Sequence, residues 1–149
     1  MTERVDFYVL KSSTAKQRWT FACRLTEKAY LRDLRVVVLS ETAADAEAID
    51  ELLWTFNERS FVPHDLQGDG EPDAATPVHL TADLGAIDAA DLLVNLSGRL
   101  PVGLERFARI AEIIDADDER RRLGRERFKA YRDLKLPLET HQLDDTPDV

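Results

Sequence analysis

Apolar and polar positions along the chain change period several times, and each change predicts an element. Val5 to Leu10 is short, rich in β-branched and aromatic residues, and stops at Ser12-Ser13-Thr14, which predicts a first strand. Thr14-Ala15-Lys16-Gln17 has the spacing of a capping box and opens a helix to about Arg32, in which Trp19, Cys23, Ala29 and Tyr30 recur at helical intervals. Arg35 to Leu39 is a continuous aliphatic run, as in a strand covered on both faces. Thr42 then starts a second helix to about Thr55, with Ala46, Ile49 and Leu53 on its buried arc and Glu47 and Asp50 on its polar side.

Phe56 to Pro77 has no period and holds Pro63, Gly68, Gly70, Pro72 and Pro77, which predicts a long loop, a feature often tied to function. Strands follow at Val78 to Thr81 and Leu92 to Leu96, then a short helix at Leu104 to Ala108 and a strand at Ile110 to Ile114. A strongly charged helix is predicted over Asp117 to Leu134, with Leu136 to Thr140 as a final edge strand. This alternation predicts an α/β fold in three layers, a mainly parallel twisted sheet with helices on both faces. Residues 1–140 form one domain in this reading, and residues 141–149 a flexible acidic tail.

Composition narrows the function. In 149 residues, 29 acids face 20 bases, a net charge of −9, which disfavours broad contact with nucleic-acid phosphates. The longest aliphatic run, Val36-Val37-Val38-Leu39, is far below the ~18 residues of a membrane span. The N-terminus has no signal-peptide pattern, and the single Cys23 cannot form an internal disulfide, so a cytoplasmic setting is expected. All six glycines lie at or beyond position 68 and none precedes a lysine. That excludes a Walker A loop, and the first βα turn, Lys11-Ser12-Ser13-Thr14, is no dinucleotide fingerprint. The topology is therefore Rossmann-like without a nucleotide-binding loop.

The charged helix is the most distinctive segment. At ~100° per residue, Leu123, Ala130, Tyr131 and Leu134 share a side that should face the core. Arg121, Arg125, Phe128 and Arg132 fall on nearly the opposite side, a ring among guanidinium groups pointing outward. Arg120 to Arg132 holds seven bases and one acid, leaving 13 bases against 28 acids elsewhere. A solvated helix face usually mixes signs, so this stripe reads as a docking surface.

Trp54 lies about 100° from the centre of the buried arc of the second helix, where it either hides beneath the following loop or offers a ring to a ligand. Phe61, Val62 and Pro63 are placed to close over it. His64, His79 and His141 lack metal-ligand spacing, so no metal and no cofactor is expected. His64 beside Asp65 is a weak general-base motif, because adjacent residues rarely address one proton. Cys23, in mid-helix, reads as a buried thiol, and Asp45, Asp50 and Glu51 as solvated charges.

Four segments in order carry a family resemblance: Val5-Asp6-Phe7-Tyr8-Val9-Leu10, Asp50-Glu51-Leu52-Leu53-Trp54, Ser60-Phe61-Val62-Pro63-His64, and Arg125-Glu126-Arg127-Phe128-Lys129-Ala130-Tyr131-Arg132. Together they resemble the chi subunit of bacterial DNA polymerase III holoenzyme. The resemblance implies a non-catalytic adaptor that pairs with the psi subunit and binds the acidic C-terminal tail of single-stranded DNA-binding protein. It carries the tail-binding role to Trp54, Phe61, Arg121, Arg125, Phe128 and Lys129. Two of these depart from the family pattern: Arg121 replaces a lysine, and Phe128 replaces a frequent tyrosine and lacks its hydroxyl.

These readings combine into one expected site, where the tail's terminal ring enters near Trp54, Phe61 and Phe128 while Arg121, Arg125 and Lys129 meet its carboxylates. Little direct nucleic-acid binding and no membrane contact is expected. The competing readings are a nucleotide-binding α/β domain, and a single-stranded-DNA-binding domain using the Arg-rich helix with Trp54 as a stacking platform.

Overall fold

A computed structural model describes residues 2–57, 61–66, 76–87 and 89–143. Its framework is a seven-stranded sheet in which every pairing is parallel. The strands are β1 (Arg4–Val9), β2 (Val36–Leu39), β3 (His64–Leu66), β4 (Val78–Thr81), β5 (Ala90–Asn95), β6 (Phe107–Ile114) and β7 (Leu138–Gln142). Their spatial order is β3-β4-β2-β5-β6-β1-β7. Among the described residues three α-helices connect them: α1 (Ala15–Tyr30), α2 (Ala43–Thr55) and α3 (Asp118–Asp133).

Two hydrophobic clusters, one on each face, define the layers. Phe21, Leu25 and Ala29 of α1 and Ile49 and Leu53 of α2 pack on one face with Val36, Val38 and Ala111. Tyr131 of α3 packs on the other face with Phe7, Val37, Leu93 and Ile110. The helical crossovers α1 and α2, which move one way along the sheet, lie on one face, and α3, which moves the other way, lies on the opposite face, as right-handed crossovers require. The three-layer parallel α/β reading therefore holds.

The predicted α1 and α2 start where their caps place them: Thr14 accepts from the Gln17 N–H, and Thr42 from the Asp45 N–H. The Thr14 box is only half formed. The Gln17 side chain takes the Ser12 and Thr14 hydroxyls, while the Thr14 N–H goes to Ser12.

Three local expectations change. The stretch read as a continuous loop contains β3, paired in register with β4; its residues 58–60, Ser60 included, and 67–75 lie outside the described residues. The short helix at 104–108 is a 3-10 turn at Leu104–Arg106, and β6 begins directly after it at Phe107. β7 runs through Gln142, so His141 and Gln142, expected in the tail, belong to the sheet, and residues 144–149 lie outside the described residues.

Candidate functional site: a cationic groove on α3

Asp117 caps α3 by accepting from the Arg120 N–H, and Asp118 and Glu119 complement the positive end of the helix dipole. The buried line of α3 is Gly124, Arg127 and Tyr131, rotated roughly 50° from the line that the apolar residues predict. Two contacts set this rotation. At Gly124 the helix lies so close to β6 that an added Cβ would meet Ile114 Cδ1 at 2.3 Å. Arg127 is drawn inward by Glu112 of β6, with Nε donating to Oε1 at 3.0 Å.

Leu134 corrects the expected core face. It is 56% exposed, because α3 ends at Asp133 and Lys135, at φ 63°, turns the chain away. Leu123 and Ala130 are only half-buried. The rotation also draws Phe128 partly inward, so its ring does not point outward as expected. It packs on Phe7, with ring centroids 5.2 Å apart, as a partly buried member of the α3-side core.

Phe128 forms one wall of a groove of about 270 Å³ between α3 and the sheet edge. Phe7, Val9 and Ile114 line it from β1 and β6, Thr140 and Gln142 from β7, and Arg121 and Arg125 from α3. The groove thus joins an apolar floor to a cationic rim. Of the seven bases on this helix, three are consumed internally. Arg120 makes two bonds to the buried Asp115 carboxylate, Arg122 pairs with Glu119 and Glu126, and Arg127 with Glu112. Arg121 donates one Nε–H to the Asp115 carbonyl, and Arg132 stands 4.0 Å from Asp133. Arg125 and Lys129 are exposed, and neither side chain has a partner among the described residues.

The network under the groove is fully connected. Glu112 is wholly buried and accepts from Arg127, from the Tyr131 hydroxyl at 2.6 Å and from Asn95 at 2.8 Å. Burial pushes the Glu112 carboxyl up, and these donors pull it back. Burial and the neighbouring carboxylate push the Tyr131 hydroxyl up.

Trp54 and Phe61 are elsewhere. Their rings lie 5.7 Å apart, 50% and 65% exposed, and Trp54 also rests 4.4 Å from the His64 ring. Val62, 1% exposed, anchors this segment in the α1–α2 core. The patch belongs to the face covered by α1 and α2, near β3, whereas α3 covers the opposite face near β1 and β7. At ~4.8 Å per strand, β3 and β1 are also roughly 24 Å apart along the sheet. The single pocket expected from the sequence is therefore two surfaces. The groove holds Arg121, Arg125 and Phe128, with Lys129 one turn further along α3 from Arg125. The patch holds Trp54 and Phe61. The same separation denies a nucleic-acid strand one continuous track over the Arg-rich helix and Trp54.

Other polar residues are tied into the fold. His64 Nε2 stands 3.0 Å from Asp50, which is thus not simply solvated, and His79 Nδ1 stands 2.5 Å from Asp65. His64 and Asp65 address different partners, so they form no acid–base pair. β1–β7 pairing brings Asp6, Glu139 and His141 within 4.8 Å, a donor set hidden from the sequence. Arg4 and Arg109 bond both Asp6 oxygens, which makes this cluster an ion-pair network rather than a cation cage. Cys23 is buried as expected, its thiol pushed up to about 12 by desolvation.

Fold and groove define a three-layer parallel α/β domain with an apolar-floored, cationic groove beside its outer helix. The family model for the DNA polymerase III chi subunit, HolC, matches residues 1–139, and the chain belongs to that family. The DNA polymerase III subunit chi of Pseudomonas aeruginosa is 36% identical over 140 residues, covering 94% of this chain and 96% of that protein. Those of Haemophilus influenzae and Escherichia coli are 31% and 28% identical, covering 89% and 93% of this chain and 92% and 97% of theirs. The crystal structure of T4 UvsW shares the fold, with a TM-score of 0.69 at 12% identity over 97% of this chain and 42% of that one.

The groove floor escaped the sequence reading because Phe7, Val9, Ile114, Thr140 and Gln142 come from three strands that meet only through the sheet. The available signal was Phe7 and Val9, two apart on one strand and so on one face.

Proposed function

We propose that this chain is a non-catalytic adaptor of the replication machinery whose α3 groove takes the acidic, aromatic-tipped C-terminal tail of single-stranded DNA-binding protein. The observation that carries this reading is the pairing of a cationic rim with an apolar floor: Arg125, exposed and without a partner among the described residues, lines the groove beside Phe128, Phe7 and Ile114, with exposed Lys129 one turn further along α3. The tail's terminal ring enters over Phe7 and Phe128, and its carboxylates meet Arg121, Arg125 and Lys129 through charge-assisted hydrogen bonds. Binding weakens with salt, because exposed charges are screened within ~8–10 Å. The negative body disfavours DNA itself.

The Trp54–Phe61 patch supports pairing with the psi subunit. Two exposed rings side by side, on the face away from the groove, form an apolar contact suited to a lasting subunit interface. The two partners then bind at once without competing.

Titration of the purified chain with a fluorescent acidic peptide ending in Phe, and separately with a single-stranded oligonucleotide, tests the reading. Saturable, salt-sensitive binding of the peptide is expected. Tight binding of the oligonucleotide with none of the peptide sinks it.

A further inference from the structure

A second cavity, of about 280 Å³, opens at the carboxyl ends of β5 and β6, between the two helix layers. β1 feeds α1 on one face while its neighbour β6 feeds α3 on the other. Crevices at such divergences are where open parallel sheets receive ligands. Here the lining is cationic: Arg18 comes from α1, Arg99 from the loop after β5, and Arg120 and Arg127 from α3, against one acid, Glu41.

Two of these charges are already answered, Arg120 by Asp115 and Arg127 by Glu112. Arg99 is exposed and its side chain has no partner among the described residues. Arg18 is the anomaly. It is 8% exposed, yet no carboxylate pairs with it among the described residues. Among the described residues its Nη atoms reach only the Ile113 and Leu96 carbonyls, at 3.4 and 3.5 Å, and its Nε–H has no acceptor. Burying a guanidinium so poorly satisfied is costly unless an anion completes its hydrogen bonds. Burial and the neighbouring Arg120 push the Arg18 guanidinium down, the direction that a bound anion would reverse. The positive ends of α1 and α3 also converge here, with Arg18 and Arg120 in their first turns.

We propose that this crevice is a binding site for a small phosphate-class oxyanion, held by the Arg18 and Arg99 guanidinium groups. Arginine forks match phosphate oxygens and here stand in for the backbone amides that a glycine loop supplies elsewhere. The volume suits a free phosphate ion or the phosphate of a mononucleotide.

Amide NMR titrations of the intact chain with inorganic phosphate, adenosine 5′-monophosphate and, at matched ionic strength, acetate test this. Saturable shifts at Ser97, Gly98 and Arg99 are expected with both phosphates and not with acetate. Tighter binding of the monophosphate identifies a nucleotide as the source, and equal binding identifies the free ion. Arg99→Ala should weaken phosphate roughly tenfold or more at unchanged melting temperature, and Glu41→Gln should tighten it. Arg18→Gln should abolish it; if that variant fails to fold, Arg99→Ala decides alone. Shifts that do not saturate, that map to the α3 groove, that acetate reproduces, or that survive Arg99→Ala overturn the proposal.

Discussion

Arg127 donates from Nε to Oε1 of Glu112 at 3.0 Å across the buried seam between α3 and β6, with both side chains shut away from water. Two residues earlier on the same helix, Arg125 is exposed and without a partner among the described residues. One arginine holds the helix to the sheet and the other is free to bind. Removing Arg127 leaves the Glu112 carboxylate buried without its cation, so Arg127→Ala should cost about 3–5 kcal/mol of stability, read as the urea midpoint. A variant within ~0.5 kcal/mol of the parent would show the pair to be dispensable.

Arg125→Ala should do the reverse. Loss of a charge-assisted bond to a carboxylate costs ~1.5–3 kcal/mol of peptide affinity, with the melting temperature unchanged because no hydrogen bond or ion pair among the described residues is lost. Equal losses of affinity and stability would make Arg125 structural. The measurement is anisotropy of the Phe-tipped acidic peptide beside a thermal melt.

Phe61→Ala separates the two surfaces. Phe61 is 65% exposed and lies on the face opposite α3, so the variant should bind the peptide as the parent does. Its capture of the psi subunit should fall by ~2 kcal/mol or more, as for an interface anchor. Loss of peptide binding in Phe61→Ala would contradict the separation of the sites.

Acid should weaken the fold through Asp6 and Asp115. Burial pushes both carboxyls up, but Arg4, His141 and Arg109 around Asp6, and Arg120 with the Asp117 N–H around Asp115, outweigh it and hold both below the ordinary 3.8. A carboxyl lowered in the folded state stabilises the fold above about its unfolded pKa, and the gain is lost as pH falls through the folded value. Asp115→Asn should therefore melt below the parent at pH 7, with the gap closing as pH falls below 3.8. Glu112, whose carboxyl is raised, is present in both proteins and cancels from the difference. A gap independent of pH contradicts the assignment.

Cys23 should resist alkylation in the native protein at pH 8. It is 2% exposed and its thiol is pushed up to about 12, so almost no thiolate forms or meets the reagent. Labelling should proceed at the rate of a free thiol only in denaturant. Fast native labelling would mean that α1 opens locally.

Much of this molecule could be read from local order. Helix starts follow from Thr14, Thr42 and Asp117, because a capping hydroxyl or carboxylate acts within three residues. The parallel sheet follows from β2, whose four aliphatic residues are buried on both faces. The cationic, aromatic character of α3 was legible for the same reason, since residues three and four apart share a side.

What lay beyond the sequence was decided by contacts between distant segments. Charge counting could not tell Arg127, neutralised by Glu112 fifteen residues away, from Arg125, which has no partner among the described residues. Periodicity of apolar residues misplaced the buried line of α3, because a close approach at Gly124 and a buried ion pair set the helix rotation, and neither is hydrophobic patterning. Nor could spacing along the chain show that Trp54 and Phe128 lie on opposite faces, since the direction of each crossover along the sheet assigns a helix to its layer. Local order in the chain set most of the elements and the chemistry each carries, though β3 and the turn at Leu104–Arg106 escaped it. Which charges stay unpaired and which surfaces they share came from contacts between distant segments, because pairing and facing depend on the whole sheet at once.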